Sequence, residues 1–119
     1  MIDISEGIEL FNKADFFSTH DFFEECWIES DREERFFFQG MVQVSVGCYH
    51  LISGNFRGSL NQLKKGTKKL RSYLPSNRNI DLENLVNFIE PIIQELNDFI
   101  SEQNQQKFWN KIPKIKLND

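Results

Sequence analysis

Apolar residues recur every three or four positions along almost the whole 119-residue chain, and the residues that stop helices fall between those runs. Alternation by two, which a half-buried strand needs, is nowhere sustained, so the spacing commits the chain to helices. Five are predicted. The first covers 5–13, with Ile4, Ile8 and Phe11 on one side, and Asp15 is placed to cap the second, 16–30. The third begins after Asp31, where Asp31 and Glu34 have capping-box spacing, and ends at Ser53-Gly54. Asn55 caps the fourth, 56–73, whose buried stripe is Phe56, Leu60, Leu63, Thr67, Leu70 and Leu74 and whose stop is Pro75. Ser76-Asn77-Arg78-Asn79 reads as a loop. Asp81 then caps a fifth helix that turns Leu82, Leu85, Ile89, Ile92, Ile93, Leu96 and Ile100 to the core and carries a kink from Pro91. From Gln103 the periodicity fades, and 103–119 reads as a docked or flexible tail, with Trp109, Ile112, Ile115 and Leu117 as its apolar points. The prediction is an all-α, single-domain bundle over 1–119, built from antiparallel helical hairpins, with the second and third helices as its central pair.

Composition narrows the function classes. A hydrophobic content of 39% with 12 Phe is too apolar for a disordered chain. With 18 acidic residues against 14 basic ones the net charge is -4, which opposes an overall attraction to nucleic acid or anionic membrane. Two cysteines, Cys26 and Cys48, are too few for a disulfide scaffold, so a reduced, cytoplasmic protein is expected. The first residues lack the basic start and apolar run of a signal peptide. The uncharged stretch from Phe36 to Ile52 is interrupted by Gln39, Gly40, Gln43, Gly47 and His50 and falls short of the ~20 mainly apolar residues of a membrane span, so it reads as a core helix.

Within these apolar helices two polar stripes stand out. His20, Glu24 and Trp27 are spaced by four and three on the second helix, and Gln39, Gln43, Val46 and His50 share a stripe on the third. The short connection at Asp31-Arg32-Glu33 makes the two helices neighbours, so the stripes are expected to face each other across a buried interface. Gly40 and Gly47 each cost about 1 kcal/mol relative to Ala inside a helix and therefore imply close approach of another backbone.

These residues also carry a resemblance. His20-Asp21 with Glu24 and Trp27, then Gln39-Gly40, Gln43, His50 and Gly54-Asn55, resemble the pattern of the domain of unknown function family three-hundred-nine over about residues 6–74. Asp21 stands where that family commonly has Glu, and Ser59 where a small Ala is usual. The resemblance implies a small all-helical protein with a shared polar site and supplies no activity.

Two functions follow from different classes. One is a non-catalytic binding or scaffold domain whose packing is held by a buried network of Glu24 with His and Gln partners. The other is an enzyme or small-ligand protein in which His20, Glu24, Gln43 and His50 line an interhelical pocket, with Asp21, Trp27 and Gln39 beside it. His20, Glu24 and His50 are also the metal-ligand candidates, but a pivot near Arg32 sets His20 level with Val44 and leaves His50 about 9 Å further along the axis at a rise of ~1.5 Å per residue. No phosphate-binding glycine loop, nucleophile elbow or recognised metal spacing is present, so no cofactor is named. Charge is unevenly spread: residues 1–34 hold 11 acidic and two basic residues, whereas Arg57, Lys64, Lys65, Lys68, Lys69, Arg71 and Arg78 lie between Asn55 and Ile80 with no acidic residue among them. This basic helix reads first as a solvated face that complements the acidic hairpin, and second as an anion surface with Arg57, Lys64, Lys68 and Arg71 in line; too few aromatics lie near it to stack bases. The partner is an unidentified protein or small molecule, with a homodimer through Phe36-Phe37-Phe38 an option if those rings are not buried by the chain itself.

Overall fold

A computed structural model describes residues 2–100 and 113–118. Its elements are α1 (Ser5–Asn12), α2 (Phe16–Glu29), α3 (Arg35–Ser53), α4 (Phe56–Leu70), a 3₁₀ turn (Arg71–Tyr73), β1 (Ser76–Asn77), β2 (Ile80–Asp81) and α5 (Leu82–Phe99). The architecture is the predicted all-α bundle. Its boundaries follow from local chemistry. The carboxylate of Asp15 accepts from the Ser18 amide, Asn55 from Gly58 and Asp81 from Asn84, each supplying a partner to a first-turn N–H that has none inside its helix. The turns before α2 and α4 are built alike. Ala14 and Gly54 have φ of 63° and 84°, and their amides donate to Phe11 and Leu51; the next residues, Asp15 and Asn55, donate to Leu10 and His50. A left-handed residue thus closes one helix and the following polar residue opens the next.

The core is dominated by rings. Phe11, Phe16, Phe23, Phe37, Phe38 and Phe99 are fully buried, each contributing roughly 1.5–3 kcal/mol by leaving water. Of the Phe36-Phe37-Phe38 run, two therefore lie inside and Phe36 alone is exposed. The predicted close approach at Gly40 and Gly47 is present, and the helix that approaches is α4. A Cβ on Gly47 would lie 2.7 Å from the Leu63 side chain, and one on Gly66 would lie 2.9 Å from the Val44 amide nitrogen and 3.0 Å from the Gly40 carbonyl oxygen. The most extensive helix pair is accordingly α3–α4, with α2 on a second side of α3, rather than α2–α3 alone at the centre.

Three further local expectations are corrected. The fourth α-helix ends at Leu70, and its last predicted turn is 3₁₀. Glu34 does not return a bond to Asp31, although the Asp31 carboxylate does accept from the Glu34 amide at 3.0 Å; the Glu34 carboxylate is engaged by Arg78 and Asn77. The stretch 76–79 is not a simple loop but half of a two-residue hairpin, pairing Ser76 with Asp81 and Asn77 with Ile80. Arg78 and Asn79 have φ of 51° and 64°, the paired positive values of a tight hairpin turn that matches strand twist. Such strands are too short to leave a period of two. Part of the tail completes this edge: the Asp81 amide donates to Lys116 O at 2.8 Å, the Asn118 amide to Asn79 O at 2.7 Å, and Ile115 is buried. Asn12 holds the same segment by accepting from the Ile115 amide at 2.6 Å and donating to its carbonyl at 3.0 Å. Trp109 and Ile112 lie outside the described residues.

Candidate functional site

On α2 the residues turned inward are Phe16, Thr19, Phe23 and Cys26. The stripe His20, Glu24, Trp27 is one residue on from Thr19, Phe23 and Cys26, about 100° around the helix, and so falls at the margin of the interface. The equivalent holds on α3, where Phe37, Phe38, Met41, Val44, Ser45, Cys48 and Leu51 are buried while Gln39, Gln43, Val46 and His50 are half-buried. The expected buried network of Glu24 with His and Gln partners is therefore not formed. Glu24 is exposed, and its contact is His20, with Oε2 3.4 Å from Nε2. Gln43, on the same α3 stripe as His50, is engaged by α4 instead and accepts from Lys69 Nζ at 2.9 Å. Trp27 packs partly against the core, Gln39 is half-buried on α3, and Asp21 is exposed with Oδ1 3.3 Å from His20 Nδ1.

Two of the predicted residues do meet. His20 and His50 line one recess of about 200 Å³ together with Phe16, Phe17, Val46 and Tyr49. Bordering one recess is compatible with the axial offset expected between the two histidines, since two aromatic rings stand between them. Ring contacts connect them: His20 to Phe17 at 5.8 Å between centroids, Phe17 to Tyr49 at 6.0 Å, and Tyr49 to His50 at 5.9 Å. Among the described residues the polar contacts of these histidines are local in sequence. His20 Nδ1 lies 3.4 Å from Phe17 O, and His50 Nδ1 lies 3.5 Å from Asn55 Nδ2. Phe17 and Tyr49 were missed by the sequence reading; the signal available was their position one turn before His20 and one residue before His50.

The three metal-ligand candidates are not gathered, and among the described residues no group of three or more His, Cys, Asp or Glu is close enough to hold an ion. Both thiols are buried, which pushes Cys26 up to about 11, with Glu29 adding to the effect, and Cys48 up to about 12. Neither is an activated thiolate. Among the described residues no helix is long and apolar enough to cross a membrane.

Of the anion-surface candidates, Arg71 pairs with Glu90 on α5, Arg57 and Lys64 are exposed on α4, and Lys68 lines a recess with Lys65 and Lys69. The most heavily bonded cation is one that the sequence reading did not single out. Arg78, at the tip of the hairpin, donates from Nε to Glu34 at 2.7 Å and from Nη1 to Ile2 O at 2.6 Å, pairs with Glu34 again through Nη2, and lies 5.0 Å from the centre of the Phe38 ring. Its guanidinium holds the Glu34 carboxyl below its ordinary value, against the opposing effect of burial.

Residues 4–62 match the model of a family described as Domain of unknown function (DUF309). No curated protein matches the chain. The His20–His50 recess lies wholly inside the matched residues, and the Lys65, Lys68 and Lys69 cluster lies beyond them.

Proposed function

With residues 4–62 taken as a DUF309 domain, we propose that the protein is a non-catalytic binding domain whose contact surface is the histidine and aromatic recess between α2 and α3. One observation carries this reading: Phe17 and Tyr49, large rings 57% and 40% exposed, stand against each other between two histidines. Single exposed apolar residues are ordinary, but adjoining ones around a concave recess form a contact surface. Ile52, also exposed, lies one turn beyond Tyr49. Asp21 and Glu24 put negative charge on the rim, so the complementary partner carries an apolar or aromatic anchor next to a cation. Covering a Phe-sized ring is worth roughly 1.5–3 kcal/mol, enough to anchor a segment whose remaining affinity comes from the rim.

The test is an NMR titration of the whole protein with tryptamine and, separately, indole-3-acetate, which share an anchor and differ in charge. The expected result is shifts at the rings of His20, His50 and Tyr49, stronger for the ammonium compound, lost in Phe17→Ala with thermal stability unchanged. Equal response to both compounds, or none, overturns the reading. A second reading, acid–base chemistry by His20 and His50, draws on the two carboxylates beside His20. It is favoured if a small molecule in the recess is turned over rather than retained.

A further inference from the structure

Lys65, Lys68 and Lys69 surround a recess of about 480 Å³ together with Phe36, Ser72 and Tyr73. Lysines near the end of a helix, as Lys68 and Lys69 are in the last turn of α4, are ordinarily accounted for by the helix dipole and by solvent. Two features set these apart. The first is pairing: Arg71, in the adjoining turn, is matched by Glu90, yet among the described residues none of the three lysines has a carboxylate within ion-pair distance, and Lys69 spends its ammonium on the neutral amide of Gln43. Partial burial first, and then the charges of Lys65 and Lys68, push the Lys69 ammonium below its ordinary value. The positive charge is thus concentrated and uncompensated. The second is the wall. Phe36 is 56% exposed, and the Tyr73 ring is held by its hydroxyl donating to Glu33 O at 2.7 Å and by an edge contact with Phe37 at 5.5 Å. A held Tyr73 ring and an exposed Phe36 beside three ammonium groups suit a molecule with a multiply charged anionic end and a flat apolar end.

We propose that Lys65, Lys68 and Lys69 bind the phosphates of a small phosphorylated ligand of nucleotide size, whose ring lies on Phe36 and Tyr73. The volume lies in the range of small-molecule sites. A small ligand fits better than a nucleic acid strand: the chain carries a net charge of -4, and the 11 acidic residues of its first 34 oppose an extended polyanion. The site is separate from the histidine recess, sharing no lining residue with it.

The experiment is calorimetric titration of the full chain with ATP, inorganic pyrophosphate, adenosine and a single-stranded oligouridylate. The variants are Lys65→Gln/Lys68→Gln, Phe36→Ala and a charge-matched control, Arg57→Gln/Lys64→Gln. All four substituted basic residues are exposed, so folding is expected to persist, and circular dichroism checks it. ATP is expected to bind more tightly than pyrophosphate and far more tightly than adenosine. The Lys65/Lys68 double variant should lose about tenfold in affinity, a change of about 1.4 kcal/mol, while the control loses less than about twofold. Phe36→Ala should remove the advantage of ATP over pyrophosphate. Equal losses in the two double variants would show a diffuse field and overturn the site. So would absence of binding at millimolar ATP, or binding of the oligouridylate where the small phosphates fail.

Discussion

The polar residues of α3 and its N-cap find partners in two different ways. Toward α4 and the hairpin, two of them are engaged from far along the chain: Glu34 is bound by Arg78, 44 residues away, and Gln43 by Lys69, 26 residues away. Glycines there leave no room, with the Gly66 and Gly40 backbones near contact. On the margin toward α2, His50 meets Asn55, five residues on, and among the described residues the polar contacts of His20 are with Phe17, Asp21 and Glu24, all within four residues. Long-range bonds tie elements together and belong to the fold. Local bonds orient a side chain without tying it to another element.

Breaking the long-range bonds should cost most at Arg78. Arg78→Ala removes the Glu34 pair, the bond to Ile2 and the contact with Phe38 together, and should lower unfolding free energy by about 2–3 kcal/mol in urea titrations, less than for a fully buried pair because both side chains keep some solvent. The same clasp sets a pH dependence. Because the folded-state pKa of Glu34 is depressed, its stabilisation is complete above the pKa of the unfolded carboxyl and is lost as pH falls through the lower folded value. Wild-type stability should therefore drop on acidification through the carboxylate range, with a shallower slope in Arg78→Ala. If that variant retains both stability and slope, the clasp contributes nothing to the fold.

Gly66→Ala comes next. The added methyl would meet backbone of α3, which cannot move aside, so overpacking should outweigh the gain in helix propensity and leave a net loss of about 1–2 kcal/mol by thermal denaturation. A stabilised variant would mean that the helices part freely. On the margin toward α2, Glu24→Gln should change stability by less than about 0.5 kcal/mol, since an exposed pair within one helix contributes little. A large loss there would place Glu24 among the structural groups and erase the contrast between long-range and local bonds.

Much of this was legible from residue order. Asp15, Asn55 and Asp81 cap the helices predicted for them, and the cost of Gly40 and Gly47 inside a helix announced a close neighbour. The candidate site was legible only in part. His20 and His50 stand out as polar residues in apolar helices and do share a recess, whereas Glu24, from the same stripes, is exposed beside His20 and Gln43 is bound by Lys69. The hairpin 76–81 left no mark, because two-residue strands have no period to read and the Arg78-Asn79 turn lacks the glycine that usually signals it.

Helix number and the caps at Asp15, Asn55 and Asp81 were determined by the sequence alone, since each depends on groups within a few turns of one another along the chain, whereas the helix that packs on Gly40 and Gly47 is a tertiary choice. Which stripe of α2 and α3 faced inward, and which cation met Glu34, was decided by the tertiary structure. Neighbouring stripes differ by a single residue step of about 100°, and the choice between them rests on how completely each fills the space left by the other helices. Around α3 the rings of Phe23 and Phe38 and the glycine seam with α4 filled it, and the histidines were left at the edge.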